Sequence, residues 1–264
     1  MAEPVDYDFV RALPKAELHA HLTGSISKDC LHDIWLSKQA IGKCANLEDP
    51  LTALQPNGGH PDIISFFPLF DTYMYQLVND VESVKHATER VVNDFAADGV
   101  AYLELRTTPR ENAETGLTRE EYVRAVLDTM LASSTASYSK SANRIASIEV
   151  MLILSIDRRM TPCQAMDVVK LASHFGERGT WRQSLESPQL APYVVGIDLC
   201  GNPTKGDVSQ LTEAFNEARR SCLKITVHLA EVPSQAQMRN LTCCYHGSRT
   251  DSVMSYMRLL ESAK

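Results

Sequence analysis

The sequence predicts an α/β protein in which consecutive strand–helix units build a parallel sheet, and three observations carry that prediction. Short β-branched or apolar runs recur along the chain. Segments with the apolar spacing of amphipathic helices lie between them. The runs are too continuously apolar for strands with one wet face, as expected where both faces of a parallel sheet are covered.

Taken in order, Glu17–Leu22 is the first strand candidate, followed by helical patterns over Asp62–Leu77 and Val81–Ala97. Asp98-Gly99 ends the second of these, because glycine accepts the left-handed backbone on which helices commonly close. Val100–Thr107 is the second strand. Arg119–Ala132 is a helix opened by Thr118, with Glu121 three residues on completing a capping box. Ile148–Ile156 is the third strand, and Pro162–Phe175 is a helix with proline in its first turn, where no backbone N–H is needed. Val194–Leu199, a helix over Asp207–Ser221 and a fifth strand over Ile225–Leu229 complete the series. Two polar loops, Cys44–Pro61 and Gly176–Pro192, interrupt it, and no internal repeat or low-complexity tract is present.

Five units end at Glu231. A closed (β/α)8 barrel takes about 250 residues and eight strands, whereas Val232–Lys264 shows no buried strand and, over Ser252–Leu260, the pattern of one short helix. The expectation is an incomplete barrel of about five βα units over residues 1–233 and a divergent tail over 234–264.

Bulk properties narrow the class. The chain has 264 residues, of which 44% are hydrophobic, enough for a large core. Its net charge of −7, with no long basic run, argues against nucleic acid or an anionic membrane as partner. A small anionic substrate, which a single arginine can hold, stays open. The first nine residues lack a basic and apolar leader pattern, and the apolar run Ile148–Ile156 is too short to span a bilayer. Seven irregularly spaced cysteines read as reduced thiols of a cytoplasmic protein.

The sharpest chemical signal is Glu17-Leu18-His19-Ala20-His21-Leu22. Strand side chains alternate between faces, so His19 and His21 share one and can converge on a metal ion. Alone, the pair reads more readily as two polar residues at a strand end. The run Val227-His228-Leu229-Ala230-Glu231 adds a third imidazole at the end of the fifth strand, where barrels place their sites, and a carboxylate three residues later. In isolation these too read as a partly buried histidine and a loop glutamate.

Together with Asp98–Arg110, Ser155–Arg159 and Gly196–Pro203, these residues resemble the adenosine/AMP deaminase superfamily over about Phe9–Pro233. Leu-His-Ala-His-Leu, Leu105–Arg110 and Ile156-Asp157-Arg158-Arg159 are most similar to its adenosine deaminase-like branch, which acts on N(6)-methyl-AMP. The resemblance implies a TIM barrel of the metal-dependent hydrolase type and hydrolysis at C6 of a purine nucleoside monophosphate, giving IMP and an amine. It implies one zinc ion on His19, His21 and His228, with Glu231 moving protons. It places His21, Thr23, Thr107, Thr108, Pro109, Arg110, Asp157 and Gly201 against the substrate, and it implies a monomer. Arg106, Arg158 and Arg159 receive no role and read as solvated or ion-paired charges.

The sequence departs from the family pattern in three places. Thr23 stands where relatives commonly carry Asn or Asp. Near Tyr73–Leu77 relatives carry a histidine facing the substrate, and Tyr75 is the residue nearest that register. Beyond Gln235 neither the later His-Gly pair nor the Asp-Asp pair has a counterpart, Tyr245-His246-Gly247-Ser248 coming too soon after Glu231. The resemblance therefore leaves open a deaminase, a catalytically impaired nucleotide-binding isoform, and an unrelated zinc hydrolase built on the same histidines.

Overall fold

Side chains at the ends of the first and last strands of a single sheet meet, and this curvature organises the protein. The computed structural model describes residues 6–54, 67–139, 148–180, 193–228 and 231–232. Its strands are β1 (Lys15–His21), β2 (Val100–Thr107), β3 (Glu149–Asp157), β4 (Val194–Cys200) and β5 (Lys224–Val227). They are parallel and lie in sequence order, β1-β2-β3-β4-β5. In a flat sheet, four spacings of roughly 4.8 Å would hold the outer strands about 19 Å apart. Here His21 on β1 and His228 just after β5 bring their ring Nε2 atoms to 2.9 Å. The sheet is therefore rolled into an arc of a barrel, with both outer strands delivering side chains to its concave side.

The helices are α1 (Tyr7–Ala12), α2 (Lys28–Ala40), α3 (Pro50–Ala53), α4 (Val81–Ala97), α5 (Arg119–Ser139), α6 (Pro162–His174) and α7 (Thr212–Arg220). Helix α4 packs on β2, α5 on β3, α6 on β3 and β4, and α7 on β5. The helix-facing residues of the strands, among them Leu103, Leu105, Leu152, Leu154, Ile197 and Leu199, are fully buried with Tyr122, Phe175 and Phe215. Each such aliphatic side chain contributes about 1.5–3 kcal/mol relative to exposure.

The caps agree with the sequence. Glu121 N–H donates to Thr118 Oγ1 and Thr118 N–H to Glu121 Oε2 at the start of α5. Gly99 takes a φ of +83° just past α4. Thr161 and Gln164 form a further capping box with Pro162 in the first turn of α6. Helix α5 runs further than the expected Ala132. The segment expected as α7 is split into a 3-10 turn, Val208–Leu211, and the helix proper.

Three findings depart from expectation. Helix α2 was not expected, although Ser27 caps it and Leu31, Ile34 and Lys38 are buried along one side. Asp62–Leu77 is not a regular helix where described, because a π-helical turn, Phe70–Met74, precedes a final turn at Tyr75–Leu77. The concave face is not uniformly apolar: Arg106, Ser155 and Asp198 are buried there in one hydrogen-bonded network, which Thr226 joins. The tail over 234–264, the helix at Ser252–Leu260, Tyr245–Ser248, Cys243, Cys244 and parts of both polar loops lie outside the described residues. The five cysteines among the described residues are free. No helix among the described residues is long and apolar enough to cross a membrane.

Candidate metal centre and the cleft around it

Strand alternation puts His19 and His21 on one face of β1, and the register shift between Glu17 and Ala20 in its pairing with β2 lies beside them. His228 enters from the far side of the arc. His19 and His21 Nε2 each lie 2.9 Å from His228 Nε2, and the three potential ligand atoms fall within 4.8 Å of one another. Burial first, then the Arg106 and His228 charges, holds His19 below the usual imidazole range. Burial, then His228, pushes His21 down to about 4. Both rings are therefore neutral near pH 7, the form that binds metal.

His228 differs from the other two. Burial lowers its pKa, but the hydrogen bond and charge of Asp198 outweigh burial and hold it above the usual value. Its Nδ1 faces two acceptors, Asp198 Oδ1 at 3.2 Å and Leu199 O at 3.0 Å. In the neutral ring Nδ1 therefore carries the proton and Nε2 presents its lone pair to the other two rings. One lone pair cannot accept two full-strength N–H hydrogen bonds. Three imidazole nitrogens aimed at one point are what a metal ion with a preference for nitrogen satisfies, so the residues present fit such an ion.

Beneath the histidines lies Asp198, fully buried. Its carboxylate accepts from Thr226 Oγ1 at 2.8 Å, Arg106 Nη1 at 3.2 Å and Ser155 Oγ at 3.2 Å besides His228. Burial raises its pKa, but His228 and Arg106 outweigh burial and hold it below the usual carboxylate range. Arg106 also donates to Leu18 O at 2.8 Å, which ties β1 to the network. Arg106 is thus a buried ion-paired residue, 5% exposed, and not a solvated one. The sequence reading assigned neither residue a part. The available signal was a charged residue alternating with apolar neighbours on β4 (Ile197, Asp198, Leu199) and on β2 (Leu105, Arg106).

A cleft of about 840 Å³ opens over the histidines. Of the expected site residues, it gathers His19, His21, His228, Glu231, Thr23, Thr107, Thr108, Asp157 and Gly201. Phe67, Phe70 and Tyr75, in and around the π-helical turn, also line it. Pro109 and Arg110 line instead an adjoining pocket of about 250 Å³, which shares Thr108, Asp157 and Arg159 with the cleft. The Arg110 guanidinium stacks on Tyr75, 3.1 Å from its ring centre. Burial pushes the Tyr75 hydroxyl up to about 12, so it stays protonated. Thr107 is buried and shares a 2.7 Å hydrogen bond with Tyr122 OH. The Asp157 carboxylate takes two hydrogen bonds from Arg159, at 3.0 and 2.9 Å. Gly201, at φ +95°, lies so close that a Cβ there would sit 2.7 Å from Asp157 Oδ1.

Comparison with known proteins identifies the family. The adenosine deaminase family model matches residues 14–251. The chain is 37% identical over 229 residues to N6-methyl-AMP deaminase of Danio rerio and 35% over 235 residues to that of Homo sapiens. These matches cover 86% and 88% of this chain, and the chain spans 58% and 59% of those proteins. The solved Arabidopsis N6-mAMP deaminase is 34% identical, with a TM-score of 0.70 over 90% of this chain and 65% of that one. Arabidopsis ADAL complexed with IMP is 33% identical at the same TM-score, over 90% of this chain and 64% of that one. A half-barrel of five parallel strands with three convergent imidazoles at their C-terminal ends, matched along most of its length by the family model, belongs to the adenosine deaminase family.

Proposed function

We propose that the chain is a zinc-dependent hydrolytic deaminase of N(6)-methyl-AMP and related N(6)-substituted purine nucleoside monophosphates, producing IMP and an amine. The observation that carries this reading is the convergence of His19, His21 and His228 within one cleft that also holds Glu231. Relatives at about 35% identity are N6-methyl-AMP deaminases, and a solved neighbour holds IMP, the expected product.

Bound by the three imidazoles, zinc supplies the Lewis acidity that makes water a nucleophile near neutral pH. The chain's own groups do the rest. Gly201 lines the cleft, where its backbone meets the purine ring. The Glu231 carboxyl carries a proton to a purine ring nitrogen, which makes C6 electrophilic. Water then adds at C6 and the C6–N bond breaks, so that methylamine leaves with the proton it needs and the oxygen stays on IMP. The hydroxyls of Thr23 and Thr108 face the ribose side, and Thr107, Pro109, Arg110 and Asp157 shape its surroundings. Phe67 and Phe70 add apolar surface to the cleft.

Absorbance of N(6)-methyl-AMP, followed with the purified zinc-loaded chain and with Glu231→Gln, tests the proposal. The expected result is turnover that yields IMP and methylamine in equal amounts and is lost in the variant. A folded, zinc-containing chain that binds the nucleotide without converting it selects the second reading, a nucleotide-binding protein.

A further inference from the structure

We infer that Arg158 is the positioning residue that fixes the Glu231 carboxylate relative to the His228 imidazole. Arg158 follows β3 and is 2% exposed. Its backbone N–H donates to Cys200 O at 2.9 Å, and the Gly206 backbone packs so closely on its carbonyl that a Cβ there would lie 1.9 Å from it. The main chain of Arg158 is thus held from two sides. Its side chain reaches across the ends of the strands, where Nη2 donates to His228 O at 2.5 Å. The same nitrogen lies 4.0 Å from Glu231 Oε2.

Arg158 Nε and Glu231 Oε2 are both buried and have no hydrogen-bond partner among the described residues. A buried carboxylate oxygen left without a donor is costly, and about 1 Å of movement of Glu231 would bring Oε2 into hydrogen-bond range of Arg158 Nη2. One guanidinium therefore grips the chain at the metal-ligating histidine and faces the carboxylate three residues later. It sets the distance between the group that holds the ion and the group that moves the proton. The inference rests on the reading of Glu231 as that proton carrier.

The test uses the zinc-loaded full chain, with Arg158→Met, Arg158→Lys and Glu231→Ala. Hydrogen exchange of the peptide carrying His228 and Glu231 should rise roughly tenfold in Arg158→Met, while β1 exchanges as before. The affinity of AMP over 1-deaza-AMP, which lacks the ring nitrogen facing Glu231, should fall roughly tenfold in Arg158→Met and in Glu231→Ala, with zinc content unchanged. Unchanged exchange, or an unchanged affinity ratio in Arg158→Met beside a collapsed one in Glu231→Ala, overturns the inference. If neither nucleotide binds the wild-type chain, the nucleotide reading fails while the exchange measurement still decides the role of Arg158. Should Arg158→Met not fold, Arg158→Lys decides by the same readouts: the ammonium lacks the planar fork that holds two groups at a fixed spacing, so the ratio drops several-fold if the inference is right and stays if it is wrong.

Discussion

Asp198 and His228 are joined side chain to side chain at the ends of neighbouring strands, with carboxylate Oδ1 3.2 Å from imidazole Nδ1. This contact fixes which ring nitrogen is free, and hence which one meets His19 and His21. It makes Asp198 the residue through which the polar interior of the arc acts on the histidine cluster.

Replacing Asp198 separates its two parts. Asp198→Asn keeps an acceptor for His228 but removes the charge, and metal affinity should fall about 10- to 100-fold, as read by competition with a chelator. Both variants leave the Arg106 guanidinium buried without its counter-charge, and Asp198→Ala, which removes the acceptor oxygens as well, should lower unfolding free energy by about 3–5 kcal/mol. Metal affinity equal to wild type in both variants would contradict the orienting role.

Gly201→Ala strains the backbone and collides with Asp157. A non-glycine residue at positive φ costs roughly 1–2 kcal/mol, and the new methyl must displace the carboxylate that Arg159 holds. The urea midpoint should drop accordingly and nucleotide affinity should fall with it. Wild-type values for both would mean that the close approach is unimportant.

Arg110 is expected to act on the phosphate and not on the base. Arg110→Ala should weaken AMP at least about tenfold while leaving adenosine binding nearly unchanged, because a guanidinium bonds strongly to phosphate oxygens. Its stacking on Tyr75 gives the variant a second signature, a change in the environment of that tyrosine. Equal losses for nucleotide and nucleoside would assign Arg110 a purely structural part.

Lys38, 5% exposed, joins α2 to the start of α4 by donating to Asp80 Oδ2 at 2.5 Å and Asn79 Oδ1 at 2.6 Å. Burial raises the Asp80 carboxyl, but hydrogen bonds from Lys38 and Ser83 outweigh burial and hold it below the usual range. A carboxyl depressed in the folded state stabilises above its unfolded value of roughly 3.9, and that contribution is lost as pH falls through the folded value. The stability gap between wild type and Asp80→Asn should therefore hold from neutral pH down to about 5 and shrink below about 4. A gap that does not narrow in acid would remove the Lys38–Asp80 pair from the account.

What was legible in the sequence follows from periodicity. The five strands were readable as continuous apolar or β-branched runs between helical patterns, and the histidine pair on β1 because a repeat of two fixes facing. His228 and Glu231 were readable because they end such a run. Asp198 and Arg106 were hidden because their importance comes from pairing between β2 and β4, two strands apart in the sheet, which no local pattern encodes. Helix α2 was hidden because its buried side includes a lysine, whose partners come from the turn before α4. The π-helical turn before Tyr75 was hidden because such turns are rare, local and carry no apolar repeat of their own.

The histidine cluster joins positions 209 residues apart along the chain. Contacts of such sequence separation are entropically costly to close and form late. Uptake of an ion at these three rings would consequently report that every strand from first to fifth is in place, so metal retention doubles as a readout of completed folding.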